Sequence, residues 1–145
     1  LNQDLDVEVL RDDELVLITH PEHDLAKKNF VKPADFKDLP FITREEGSGT
    51  KSVILDYFSK HNIDKNCINV CMELGNSESV KGAVETGIGV SILSKTSIEK
   101  ELELNRLSFV PLNPKLTRNF YFVTKRHKFR LKVNDELINY AKGSN

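Results

Sequence analysis

Strand-like and helix-like stretches alternate along this chain, and that alternation restricts it to very few architectures. Runs rich in Val, Ile, Phe and Leu occupy residues 15–19, 40–43, 68–74, 89–93, 107–112 and 119–124. Between them, apolar residues recur at helical spacing. Residues 50–61 carry Val53, Ile54, Tyr57 and Phe58 as one stripe, with Leu55 off it. Residues 77–86 carry Val80, Ala83 and Val84 and stop at Gly87, a natural left-handed cap. Thr96 with Glu99 makes a capping-box pattern that opens a short helix towards Leu102. A last helix is expected over 132–142, burying Val133, Leu137, Ile138 and Ala141. Strands alternating with helices predict an α/β domain, its central, mostly parallel sheet flanked by helices. Near-continuous apolar runs such as 90–93 suit a sheet covered on both faces.

At 145 residues the chain is long enough for one compact domain with a real core, and hardly for two. Its 39% hydrophobic and 30% charged residues describe a globular protein and exclude a disordered one. Lys+Arg 21 against Asp+Glu 22 leaves no cationic surplus to neutralise phosphates, so this stretch alone is not built to bind nucleic acid. The charge is uneven, with seven Lys/Arg and no acid over 113–133 and a mainly acidic first 24 residues. Solvated strand and helix ends are the expected account, ahead of a dedicated basic patch. The longest apolar runs, 15–18 and 90–93, are far too short to span a bilayer, and no signal-peptide pattern opens the chain. The expectation is a cytoplasmic protein without a membrane partner, and the first residue, Leu1, suggests a piece of something longer.

The segment from Pro40 to Lys51 is the most informative. A strand runs into a loop containing Gly47, Ser48, Gly49 and Thr50, and a helix begins at once. The free N–H groups of a helix's first turn, with the positive end of its dipole, favour a carboxylate, sulfate or phosphate. Two glycines let a ligand approach the backbone, and the two hydroxyls add donors. The same residues equally make a plain capped helix, with Ser48 or Thr50 as the cap. A second junction of this kind follows at Leu74 to Ser79, where Asn76 or Ser77 would cap the next helix. In open α/β sheets ligands gather at the carboxyl ends of the strands, so two such junctions on one edge reinforce each other.

Other chemistry fails on inspection. Gly49-Thr50-Lys51-Ser52 lacks the Gly-Lys-Ser/Thr order of a nucleotide P-loop, and Gly47-Ser48-Gly49 lacks the spacing of a nucleophile elbow. His20 and His23 stand beside carboxylates, but Pro21 makes the segment a turn and a third ligand is missing. His61 and His127 read as surface residues. No catalytic residue, metal site or cofactor is implied. Cys67 and Cys71, in a stretch that reads as strand, would stand roughly 13 Å apart, too far for one disulfide or one metal. Buried, reduced thiols are expected.

Taken in order, four stretches resemble the effector-binding region of LysR-type transcriptional regulators, whose fold is similar to a type 2 periplasmic binding protein. They are residues 13–18 with His20-Pro21 and Leu25-Ala26, then 40–50 with Arg44, Glu45, Gly47, Ser48, Gly49 and Thr50, then 76–93, and lastly 118–128 with the terminal helix. The resemblance covers about three quarters of the chain. It implies two lobes joined by two crossover segments, with a small effector between them. Residues 1–11 would be the exit from lobe I, 12–126 lobe II, and 127–145 the C-terminal helix and tail. Ser48, Gly49 and Thr50, with Gly47, would be the effector-facing loop, and Asn76 and Ser77 its neighbours.

The implied protein is a bacterial regulator acting as a homodimer or higher homo-oligomer. It would touch DNA only through an N-terminal helix-turn-helix outside this stretch, and it would not be an enzyme. Helix 50–61, with Leu55, is the expected contact surface between subunits. Ser94 and Asp24 stand where many relatives carry proline, and no consequence for the cleft is expected. The other reading of the bilobal fold is a fragment of a solute-binding protein or of a related enzyme domain.

Overall fold

A computed structural model describes the backbone over residues 5–125 and 128–131, with side chains over 12–118. The elements run β1 (Leu5–Thr19), β2 (Phe41–Arg44), α1 (Gly49–Lys60), β3 (Val70–Leu74), α2 (Ser77–Glu85), β4 (Ser91–Ser94), α3 (Glu99–Glu103), β5 (Ser108–Val110), β6 (Leu116–Lys125) and β7 (Lys128–Leu131). Single 3-10 turns at Asp24–Lys27, Pro33–Phe36, Lys65–Cys67 and Lys95–Ile98 make the connections.

β1 organises the sheet. One edge pairs with β4 over Leu15–Ile18, and the other pairs with β6 over Leu5–Leu15 and then β5 over Leu17–Thr19, all antiparallel. β5 and β6 therefore lie end to end along one strand. Between them the chain leaves the sheet through the cis Asn113–Pro114 bond, and Leu112 bridges Val31. Tyr57 donates from its hydroxyl to the Pro114 carbonyl at 2.6 Å, fixing this excursion to α1. Burial pushes the Tyr57 hydroxyl up to about 12, so it stays a donor across the ordinary pH range.

β2 and β3 pair in parallel, and Phe41 bridges Val90 in parallel at the approach to β4. The α/β class stands, but the expected mostly parallel sheet does not. Parallel neighbours need a crossover of a dozen or more residues; α1 supplies one for β2→β3, and α2 one that returns the chain to Val90 beside Phe41. The partners of β1 arrive from more than 70 residues away, and hydrophobic periodicity carries no information on their direction.

Because β1 is covered on both faces, its alternate residues enter two cores. Leu15 and Leu17 meet α1 through Ile54, Tyr57 and Phe58, while Val16 and Ile18 meet Val80 and Val84 of α2 with Ile98 and Leu107. Phe36 closes the first core, its ring edge-on to Phe58 at 5.2 Å. This two-sided burial is why 15–18 reads as an unbroken apolar run.

Gly89 sits where β2 meets the approach to β4. A Cβ there would lie 2.8 Å from the Pro40 carbonyl oxygen and 3.2 Å from Cys71 Sγ. Gly89→Ala is therefore expected to cost about 1–3 kcal/mol by overpacking, read as a lower denaturant midpoint with an unchanged m-value. Gly87, with φ +84, does provide the left-handed end of α2.

Two local expectations are corrected. Cys67 and Cys71 are exposed rather than buried, because β3 is an edge strand and Cys67 belongs to the 3-10 turn before it. The Thr96/Glu99 capping box does not form. The 3-10 turn at Lys95–Ile98 precedes α3, whose N-cap is Ile98, and the Thr96 hydroxyl instead meets that of Ser94 at 2.9 Å. The helix expected over 132–142 lies outside the described residues. His20 and His23 stand in a turn, each accepting a backbone N–H at Nδ1 (from Glu22 and Leu25) at 3.0 Å. Among the described residues no helix is long and apolar enough to cross a membrane.

Candidate effector site

The register of β2 with β3 pairs Thr43 with Glu73 and Arg44 with Leu74, so the two strands end level. Glu45 continues the pairing, its N–H donating to the Leu74 carbonyl at 3.1 Å. Both following helices consequently start on one edge of the sheet, as the two junctions require. Gly47 turns the chain with φ +88, and Ser48 becomes the N-cap of α1, its Oγ accepting the Lys51 N–H at 3.3 Å. Asn76 caps α2 in the same way, with Oδ1 accepting the Ser79 N–H at 2.8 Å. Each such cap contributes about 1 kcal/mol.

Arg44 ties the junctions together. Its side chain is 8% exposed, and it donates from Nε to Glu45 Oε1 at 3.0 Å and from Nη1 to Ser77 Oγ at 3.3 Å. The six sequence-read positions around it differ in access. Ser48, Gly49 and Ser77 are buried and Thr50 is half-buried, whereas Gly47 and Asn76 are exposed. Thr50 Oγ1 stands 3.5 Å from Arg118 Nη1. Arg118 Nε donates to Asp13 Oδ2 at 3.1 Å, and Ser94 Oγ donates to Asp13 Oδ1 at 2.5 Å. At the rim Lys51 pairs with Glu46 at 3.0 Å, and that hydrogen bond holds the Glu46 carboxyl below its usual range.

The edge is thus a pair of helix N-termini backed by two buried guanidinium groups, an arrangement that complements an oxyanion. Arg44, Asp13, Ser94 and Arg118 had no assigned role in the sequence. Arg44 carried a local signal, a cation at the end of an apolar strand. The others carried none, being brought together across 81 and 105 residues. Ser94, expected to be without consequence, belongs to the network that reaches Thr50.

Comparison with known proteins identifies the family. The family model for the LysR substrate binding domain matches residues 1–144. The chain belongs to the LysR substrate-binding domain family. Among its relatives, this LysR domain is 34% identical over 142 residues to a probable RuBisCO transcriptional regulator of Thalassiosira pseudonana, covering 96% of the chain and 46% of that protein. It is 36% identical over 139 residues to the uncharacterized HTH-type transcriptional regulator YeiE of Escherichia coli, covering 92% of the chain and 45% of the relative.

The CcmR regulatory domain of Synechocystis PCC6803, solved in complex with 2-PG, superposes with TM-score 0.70 at 28% identity, over 99% of the chain and 69% of that structure. The effector-binding domain of QuiR, in complex with shikimate, shares the fold with TM-score 0.67 at 22% identity, over 97% of the chain and 64% of that structure. This LysR domain spans less than half the length of these two curated relatives.

Proposed function

We propose that this chain is the effector-sensing lobe of a LysR-type transcriptional regulator, binding a small anionic metabolite at the edge formed by Ser48, Gly49, Thr50, Asn76 and Ser77. The observation that carries this is the convergence of two helix N-termini and the buried Arg44 on one sheet edge. The ligand of the CcmR domain, 2-PG, is the first compound to test, since that domain is the solved structure at 28% identity. Residues 1–11 act as the crossover from a first lobe, 12–126 as the second lobe, and 127–145 as a C-terminal segment that, instead of opening directly on the expected helix, includes strand β7. β1 runs through the 11/12 boundary without a break, as a crossover strand would.

The whole protein controls transcription in the cytoplasm through a helix-turn-helix upstream of this stretch, and it is not an enzyme. The hydroxyls of Ser48 and Thr50 meet a backbone N–H and a guanidinium, neither of which can accept a proton as a catalytic base would. Reading the gene upstream of Leu1 tests this. A helix-turn-helix is expected there, and a secretion signal or lipid-anchoring cysteine in its place would favour the solute-binding reading.

Subunits pair through the outer face of α1 and the edge of β3. A cleft of about 260 Å3 lies there, with Leu55, Ile54 and Ile68 in its wall, and Val70 is 49% exposed. Leu55→Glu is expected to shift the complete regulator to a smaller species in size-exclusion chromatography with light scattering. An unchanged mass at all concentrations would remove α1 from the interface.

A further inference from the structure

Asp13 and Arg118 face each other directly in the register of β1 and β6, the two long strands that run out of the lobe as an antiparallel ribbon. Their ion pair is buried, with side chains 4% and 9% exposed. Each carboxylate oxygen has its own donor, Arg118 Nε on one and Ser94 Oγ, from the end of β4, on the other. The guanidinium is thereby fixed by one nitrogen, and another of its nitrogens, Nη1, is turned to Thr50 Oγ1 at the first turn of α1.

A hydroxyl whose oxygen faces a cation is oriented with its hydrogen pointing away from that cation. Thr50 is half-buried, so a ligand at the edge of the sheet meets it as a donor. An acceptor-only group, an ionised carboxylate or phosphate, is what such a donor selects.

We propose that Asp13, Arg118 and Ser94 are positioning residues that hold the Thr50 hydroxyl as a donor to the effector and couple it to the geometry of the β1/β6 ribbon. The coupling follows from register. The guanidinium is carried by β6 and its anchor by β1, so a twist of the ribbon displaces Nη1 from Thr50, and a ligand held by Thr50 resists that twist. The proposal rests on Thr50 being part of the effector site.

The test is a double-mutant cycle in the complete regulator, titrated with 2-PG by calorimetry. Arg118→Lys keeps the charge but loses the fork that reaches both Asp13 and Thr50. It is expected to weaken binding about tenfold, the effect of losing one charge-assisted contact, and to cause no further loss once Thr50→Val is present. Ser94→Ala, which leaves both charges in place, is expected to move binding in the same direction by less. Thermal melting of each variant confirms that the fold is retained.

If Thr50→Val weakens 2-PG binding and Arg118→Lys adds its full loss on top, the positioning role is overturned while the site stands. If Thr50→Val alone changes nothing, the site reading fails and takes the proposal with it. Should 2-PG not bind the wild type, amide exchange decides. Asp13→Asn and Ser94→Ala are then expected to accelerate exchange in the first turn of α1, and unchanged exchange there overturns the proposal.

Discussion

Lys81→Ala is expected to lower the stability of the domain by about 3–5 kcal/mol, the cost of leaving a buried charge without its partner. The Lys81 side chain is 7% exposed; it bridges α2 to α3 through Glu101 at 3.2 Å, and it also pairs with Glu78 of its own helix at 2.7 Å and donates to the Ser97 carbonyl of the preceding 3-10 turn at 2.9 Å. Glu101 is 12% exposed at its side chain, and its Oε1 is buried with no hydrogen-bond partner. Without Lys81 that carboxylate has nothing to offset its lost hydration. Replacing both residues, as in Lys81→Met with Glu101→Leu, should recover most of the loss, because apolar groups of similar size fill the same space.

The pH dependence follows from the same contacts. Burial works to lower the pKa of Lys81, but the hydrogen bonds and charges of Glu78 and Glu101 outweigh it, so the folded value lies above the ordinary 10.5. A group raised in the folded state contributes stability in full below its unfolded pKa and loses it as pH rises through the folded value. The difference between wild type and Lys81→Met should therefore stay constant through neutral pH and shrink above about 10.5. Urea titrations at a series of pH values measure it. A single variant costing less than about 1 kcal/mol, the worth of an ordinary exposed pair, would show that the bridge is solvated.

The second large effect concerns the effector. Thr50→Val keeps the size and β-branching of the side chain and removes only the hydroxyl. Ser48, not Thr50, caps α1, so the helix start survives the change. A hydrogen bond to a charged ligand oxygen is worth about 1.5–3 kcal/mol, so effector affinity should fall roughly 10- to 100-fold. Basal DNA binding of the complete regulator should remain within twofold, as read by mobility shift. Ser48→Ala is expected to give a mixed result, since it also removes the cap at about 1 kcal/mol. Effector titrations unchanged in both variants would take the loop out of the site.

The features legible in the sequence were those written locally. The stripe of Ile54, Tyr57 and Phe58 faces the core, Gly87 ends α2 in the left-handed region, and Ser48 and Asn76 cap the helices they precede. These depend on residues within a turn of one another. The family was legible for the same reason, as an ordered series of such local patterns.

What escaped was set by pairing across the chain. The 15 residues of β1 read as a strand only over its last five, because the polar residues Asp12, Asp13 and Glu14 interrupt the apolar run. Pairing with β6 holds that segment extended regardless of its side chains. The sense of the sheet, the exposure of Cys67 and Cys71 and the Asp13–Arg118 pair are likewise consequences of which strands become neighbours. The exchange of a capping box at Thr96 for a 3-10 turn reflects competition. The Thr96 hydroxyl is taken by Ser94 Oγ, and Ser97 Oγ donates to the Ser94 carbonyl, so local side-chain bonds hold the turn.

The central claim is that an anionic effector is held where α1 and α2 begin. Hydrogen-exchange mass spectrometry on the complete regulator tests it most directly, with and without saturating 2-PG and with inorganic phosphate as a second anion. Slowed exchange is expected in peptides covering residues 45–53 and 75–80. Protection confined to the cleft beside Leu55, or none in these two segments while 2-PG is bound, would contradict it.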